Sequence, residues 1–220
     1  MAIQLHYETI TPLLKKVLQN MMSNPMFDPF VLVGGTSLSL RLGHRKSVDI
    51  DLFTNAPYGS LDYSILEEFF QKAYSYYDCV DKTGVVGMGR SYYMGNSVED
   101  NIKVDLYYHD EIIDPPEIID GIRIASLNDV TAMKIDVISR GGRKKDFWDL
   151  HELLNTYSIS EMLNLHQQRN EYTHDRKRIL INLSNFASAD EDIDPVCLKH
   201  KEWALIKLDF VELMENLSSE

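Results

Sequence analysis

The sequence predicts an α/β amino-terminal half with a helical carboxy-terminal half packed against it, and three observations lead there. Short apolar runs of strand length, FVLV (30–33), SVDIDLF (47–53) and IKVDLYY (102–108), fall in the first half. A helical stretch, SILEEFFQKAYSYY (64–77), lies between the second and the third, so strands and helices alternate. From about residue 158 the apolar residues recur at helical spacing to the end.

The first element reads as a helix with Thr11 as N-cap, Pro12 in the first helical position and Leu13, Leu14, Val17, Leu18 and Met21 on one face. Asn24 and Pro25 end it. After the turn-rich IIDPPEIIDG comes IRIA, and then Ser126 with Asp129 three residues on. That capping-box pattern opens a helix through TAMKIDVIS to Gly141 and Gly142. A further helix follows in KKDFWDLHELLNTY, where Phe147, Leu150 and Leu154 share a face. The acidic loop ASADEDIDP (187–195) interrupts the helical half, which finishes in the amphipathic HKEWALIKLDFVELMENL.

Composition limits the functions available. With 220 residues and 44% hydrophobic content the chain can bury a substantial core. Its 22 Lys and Arg against 34 Asp and Glu give a formal charge of −12, which disfavours non-specific binding to nucleic acid or an anionic membrane. A polyanionic ligand therefore needs a local basic patch. Cys79 and Cys197 are too few for a disulfide framework and lack metal-ligand spacing. MAIQLHYETI has no charged start followed by an apolar core, and no apolar run reaches about 18 residues, so the expectation is a soluble cytoplasmic protein.

Side chains alternate across a strand, so Asp49 and Asp51 project to one face while Val48, Ile50 and Leu52 project to the other. Two like charges on one strand face repel and resist burial; exposure to water or a bound cation relieves them. Asp105 interrupts another apolar strand, between Val104 and Leu106. Three carboxylates converging from adjacent strands suit Mg²⁺, and the chemistry such a site serves is in-line displacement at phosphorus.

Gly34, Gly35, Thr36 and Ser37 supply main-chain N–H groups that phosphate oxygens can approach without an intervening Cβ. Local pattern leaves two forms open for this stretch. Gly-Gly suits a two-residue hairpin loop, and SLSLRL alternates with period 2. Leu38 and Leu42, with Gly43 as a stop, equally allow a strand, a glycine turn and a helix. The basic residues cluster in RLGHRK (41–46) and RGGRKK (140–145). Lys134 stands inside the apolar AMKIDVI, where its ammonium must snorkel out or meet an anion. Asp146 and Asp149 lie near a helix start, where carboxylates favour the macrodipole.

Gly34-Gly35, thirteen residues, Asp49-x-Asp51 and then Asp105 in a later strand resemble the nucleotidyltransferase superfamily that includes DNA polymerase beta. VGGTSLSLRLGHRKSVDIDLF, IKVDLYY and IDGIRIASLNDVTAMKIDVISRGGRKKDFWDLHELL are similar, more narrowly, to the AbiEii/AbiGii toxin family over roughly residues 10 to 160. The resemblance implies an α/β (α+β) nucleotidyltransferase core with a mixed sheet over residues 1–125, followed by a helical domain over 126–220. It also implies strand, glycine turn and helix at residues 30–42.

What the resemblance implies for function is metal-dependent transfer of a nucleotide from an NTP to an acceptor hydroxyl. Asp49, Asp51 and Asp105 are its expected catalytic and metal-binding residues, with Mg²⁺ or Mn²⁺ as the ion. Gly34, Gly35, Thr36, Ser37, Lys134 and Asp146 are its expected nucleotide-binding residues, Lys134 neutralising phosphate and Asp146 orienting a basic neighbour or touching the nucleotide. Family toxins are associated with GTP, relatives modify tRNA ends, and a cognate antitoxin in an abortive-infection system is the expected partner, with no membrane. A small-molecule, antibiotic-type nucleotidyltransferase suits the acidic surface better, and a catalytically inactive nucleotide-binding homologue is the third alternative. Intact carboxylates at all three positions argue against that last one.

Overall fold

Thr11 accepts a hydrogen bond from the Leu14 amide at 3.1 Å and Pro12 occupies the first turn, so α1 (Pro12–Met22) starts where the sequence directs. The structure, a computed structural model, describes residues 4–81, 86–109 and 112–217. The first three residues of the MAIQLHYETI stretch and the last three of the predicted helical domain lie outside them. A short strand β1 (Val31–Val33) runs into α2 (Gly34–Leu42), which Gly43 ends in the left-handed conformation. Residues 30–42 are therefore strand, glycine turn and helix, and the hairpin alternative does not form.

The sheet continues with β2 (Asp49–Thr54), β3 (Tyr76–Cys79), β4 (Gly89–Gly95), β5 (Asn101–Tyr108), β6 (Glu117–Ile119) and β7 (Ile122–Ile124). Its seven strands take the order β3-β4-β5-β2-β1-β7-β6. The sheet is mixed: β2 pairs antiparallel with β1 but parallel with β5, and β1 pairs parallel with β7. Helix α3 (Tyr63–Ala73) is shorter than its pattern predicts, because Tyr76–Cys79 leaves the helix to pair with β4. β6 and β7 form a hairpin closed by Asp120 and Gly121, both at positive φ, as a type I′ turn requires.

Alternation gives the sheet two unlike faces. Ile50, Leu52, Val104 and Leu106 are fully buried and pack with Leu14, Leu18, Phe27 and Phe70 in one core. Asp49, Asp51 and Phe53 occupy the other face of β2, and Lys103, Asp105 and Tyr107 the other face of β5. That second face looks toward the helical half: α4 (Leu127–Ser139), α5 (Lys144–Leu153), α6 (Ile159–Arg169), α7 (Arg176–Leu183), the short α8 (Ala187–Asp190) and α9 (Trp203–Leu217). The first turn of α4 is capped by Ser126, which accepts from the Asp129 amide at 3.0 Å. The α8 turn lies inside the stretch read as an acidic loop. Phe147, Trp148, Leu150 and Phe210 gather with Val33 and Leu38 into a second core, which seats the helices on α2 and β1. Among the described residues no helix is long and apolar enough to cross a membrane.

Candidate active site

The parallel register of β2 and β5 sets Asp51 directly beside Asp105 and Asp49 beside Lys103. All three aspartates thus share one face of two neighbouring strands. Burial raises the Asp51 pKa to about 6, and the Asp105 charge beside it adds to the shift. Two ammonium groups stand at the other carboxylates: Lys103 Nζ is 2.7 Å from Asp105 Oδ2, and Lys145 Nζ is 3.7 Å from Asp49 Oδ2. Among the described residues no three His, Cys, Asp or Glu side chains are grouped as a ready cage for a metal ion. The donor set nevertheless fits a hard divalent cation: all the candidate ligands are carboxylate oxygens, and Asp105 Oδ1 is buried with no hydrogen-bond partner.

Opposite these carboxylates stands the start of α2. Gly34 has φ +69°, and a Cβ built on it would lie 2.1 Å from Asp51 Oδ2; a Cβ on Gly35 would lie 2.4 Å from Arg45 Nη2. Close approach therefore favours glycine at both positions, and at Gly34 the left-handed conformation does so as well. Val33 at the N-cap offers no side-chain acceptor, so the first turn of α2 has no side-chain cap, and that turn begins close to Asp51. Gly34 and Gly35 line the cleft, whereas Thr36 and Ser37 are buried beneath it. The Thr36 hydroxyl donates to the Asp49 carbonyl and meets Ser47 Oγ at 2.8 Å, tying α2 to the start of β2. Neither Thr36 nor Ser37 lines the cleft, and Ser37 Oγ is buried with no hydrogen-bond partner among the described residues. Replacing Gly34 with Ala should cost about 1–2 kcal/mol from the left-handed backbone and push the Asp51 carboxylate aside. A melt and a nucleotide-transfer assay on that variant should show a small loss of stability with a large loss of activity.

The cleft between the sheet face and the helices measures about 490 Å³ and includes Gly34, Gly35, Asp49, Asp51, Lys134, Lys145 and Asp146 in its walls. Lys134 neither snorkels nor reaches freely into this space. Its ammonium is buried and held by Asp146 Oδ1 and Asp149 Oδ2, each at 2.7 Å. Asp146 in turn accepts from the Arg143 amide at 3.1 Å, so this carboxylate orients a basic neighbour and caps α5.

Asp149 is the residue that pattern reading undervalued. It is fully buried and accepts from Arg45 Nε at 2.6 Å, Arg45 Nη2 at 2.8 Å and His44 Nε2 at 2.7 Å, besides pairing with Lys134. Burial alone would raise its pKa, but Lys134 and Arg45 outweigh that and hold the carboxyl well below the usual range. The network joins the α2–β2 connection to α4 and α5 across the back of the cleft.

The two basic segments do not form a continuous basic surface. Arg41 bonds Glu117 and the Ala125 carbonyl at 2.9 Å each, and His44 and Arg45 are buried on Asp149. Lys144 is buried against the Asp192 carbonyl at 2.6 Å and Asp194 at 2.8 Å. The chain's own carboxylates have claimed these cations. Arg140, Arg143 and Lys145 remain in the cleft walls.

A strand, a glycine-started helix and an aspartate pair on the next strand, with a third aspartate across a parallel register, define a nucleotidyltransferase fold. Two solved structures share it: JHP933 from Helicobacter pylori (TM-score 0.58, 17% identity, covering 96% of this chain and 89% of that one), and MenT4, nucleotidyltransferase toxin Rv2826c from Mycobacterium tuberculosis H37Rv (TM-score 0.56, 13% identity, 92% and 83%). Residues 16–217 match the family described as nucleotidyl transferase AbiEii toxin, type IV TA system, and the chain belongs to that family of nucleotidyltransferases. The match runs well past residue 160, where the sequence motifs end. An uncharacterized protein of Aquifex aeolicus (strain VF5) is 30% identical over 148 residues, which span 65% of this chain and 66% of the relative.

Proposed function

We propose that this protein transfers a nucleotide from an NTP to an acceptor hydroxyl in the cleft between the sheet and the helices. The observation that carries the reading is the register pairing Asp51 with Asp105, opposite the uncapped glycine start of α2. In that reading Asp49, Asp51 and Asp105 hold Mg²⁺ or Mn²⁺, which supplies Lewis-acid stabilisation of charge at the phosphates. The acceptor oxygen attacks the α-phosphorus, the bond to the bridging oxygen breaks, and pyrophosphate leaves. Asp105, whose Oδ1 has no other partner, takes the acceptor proton. The first-turn amides of α2 receive phosphate oxygens.

Family membership supports a toxin role with a cognate antitoxin, and the name of the MenT4 neighbour agrees with it. The proposal extends to GTP as donor, an RNA or tRNA acceptor, abortive infection as the setting and the cytoplasm as the place of action. It also keeps a catalytic core over 1–125 and a helical domain from 126, supported by the helix cap at Ser126. The charge of −12, with Arg41, His44, Arg45 and Lys144 internally paired, favours a second reading in which the acceptor is a small hydroxylated molecule. Incubation with each α-labelled NTP, Mg²⁺ and either total RNA or a panel of aminoglycosides separates the two. Label in the RNA fraction supports the first, label only in the small-molecule fraction supports the second, and no label with any combination refutes both.

A further inference from the structure

Most cations around the cleft are already neutralised by the chain. Lys134 is shared between Asp146 and Asp149, Lys103 is held by Asp105, Arg45 by both oxygens of Asp149, and Arg140 by Asp136. Arg143 stands on the rim with its side chain 65% exposed, and its Nε is 3.8 Å from Asp146. Lys145 differs from all of these. Its side chain is 33% exposed, it lies in the cleft wall, and the ion pair to Asp49 is 3.7 Å long, beyond hydrogen-bond distance.

We propose that Lys145 is the side chain that grips the polyphosphate of the nucleotide, and that Lys134, the cation singled out from the sequence, is a positioning residue. This rests on reading the cleft as the site of nucleotide transfer. To reach a phosphate oxygen, Lys134 would surrender or share one of two short charge-assisted bonds inside a buried network. Lys145 gives up only a long contact with Asp49, a residue that is itself one-third exposed. It starts from the wall that carries Asp49, so an anion seated beside the carboxylates comes within reach of its ammonium. Arg143, more exposed, loses more of its attraction to solvent screening.

The test is equilibrium binding of inorganic tripolyphosphate and of ATP, GTP, CTP and UTP, each with Mg²⁺, to the wild-type chain, Lys145→Met and Lys145→Arg. Lys145→Met should bind tripolyphosphate and the preferred NTP about ten- to a hundredfold more weakly, the loss of one charge-assisted contact. Its melting temperature should match the wild type, and Lys145→Arg should recover most of the affinity. Unchanged affinity in Lys145→Met overturns the assignment, and so does a large drop in its melting temperature, which would make Lys145 a structural residue. A wild-type chain that binds none of the five probes instead overturns the nucleotidyltransferase reading on which the assignment rests.

Discussion

Asp149→Asn should destabilise the protein by about 3–5 kcal/mol, because it removes the charge that compensates buried cations. Arg45 and His44 find their carboxylate partner there, and Lys134 would be left with Asp146 alone. An amide can accept one of these bonds, but its NH₂ group would face the other donors. The loss should appear in chemical denaturation as a lower midpoint at unchanged slope. It should also loosen the connection between α2 and β2, which contains His44 and Arg45 and leads to Asp49. A variant as stable as the wild type would show that the network is dispensable.

The parts of this fold that sequence reading recovers are those set by local chemistry. Thr11 with Pro12, Ser126 with Asp129, and Gly43 each specify a helix end through groups within a few residues. The face shared by Asp49 and Asp51 follows from strand pleating alone. Gly34-Gly35 was ambiguous because the same dipeptide serves a hairpin and a helix start; the contact of Gly34 with Asp51, seventeen positions on, decides between them. β3 is hidden in the sequence because its tyrosines continue the apolar pattern of α3, and only pairing with β4 pulls Tyr76–Cys79 into the sheet. The Asp120-Gly121 turn was a legible hairpin signal hidden behind two prolines.

The Asp149 network was the least legible part of the site. Its partners Arg45 and His44 lie 104 and 105 positions away, and each residue taken alone has an ordinary explanation as surface charge or helix-dipole complement. A usable signal was present nonetheless. Asp146 and Asp149 stand three apart within one helix, beside an apolar stretch, and a lysine interrupts the apolar face of the preceding helix. Carboxylates and an ammonium in two such places are each costly to bury and inexpensive to bury together.

Asp51→Asn should abolish nucleotide transfer and, unusually for a substitution at a half-buried polar position, leave the ligand-free protein more stable at neutral pH. The sign follows from the pKa of about 6, which burial and then Asp105 raise above the ordinary carboxylate value. Between that ordinary value and pH 6 the folded chain binds more protons than the unfolded one, so wild-type stability falls as pH rises through this window. Above pH 6 the full cost of the charged carboxylate remains, roughly 1–3 kcal/mol. Asn carries no charge and escapes it, so the two proteins should melt together near pH 4 and diverge by pH 7.5. Added Mg²⁺ should narrow the difference by stabilising the wild type through mass action.

The most direct measurement is pyrophosphate release and label incorporation by the wild-type chain and by Asp51→Asn, run side by side with each NTP, Mg²⁺ and the acceptor fraction that takes label. Nucleotidyl transfer at the carboxylate face requires stoichiometric pyrophosphate and labelled acceptor from the wild type, and neither from an Asp51→Asn protein that melts at or above the wild-type temperature. Equal turnover by the two proteins would contradict the placement of the chemistry at Asp49, Asp51 and Asp105.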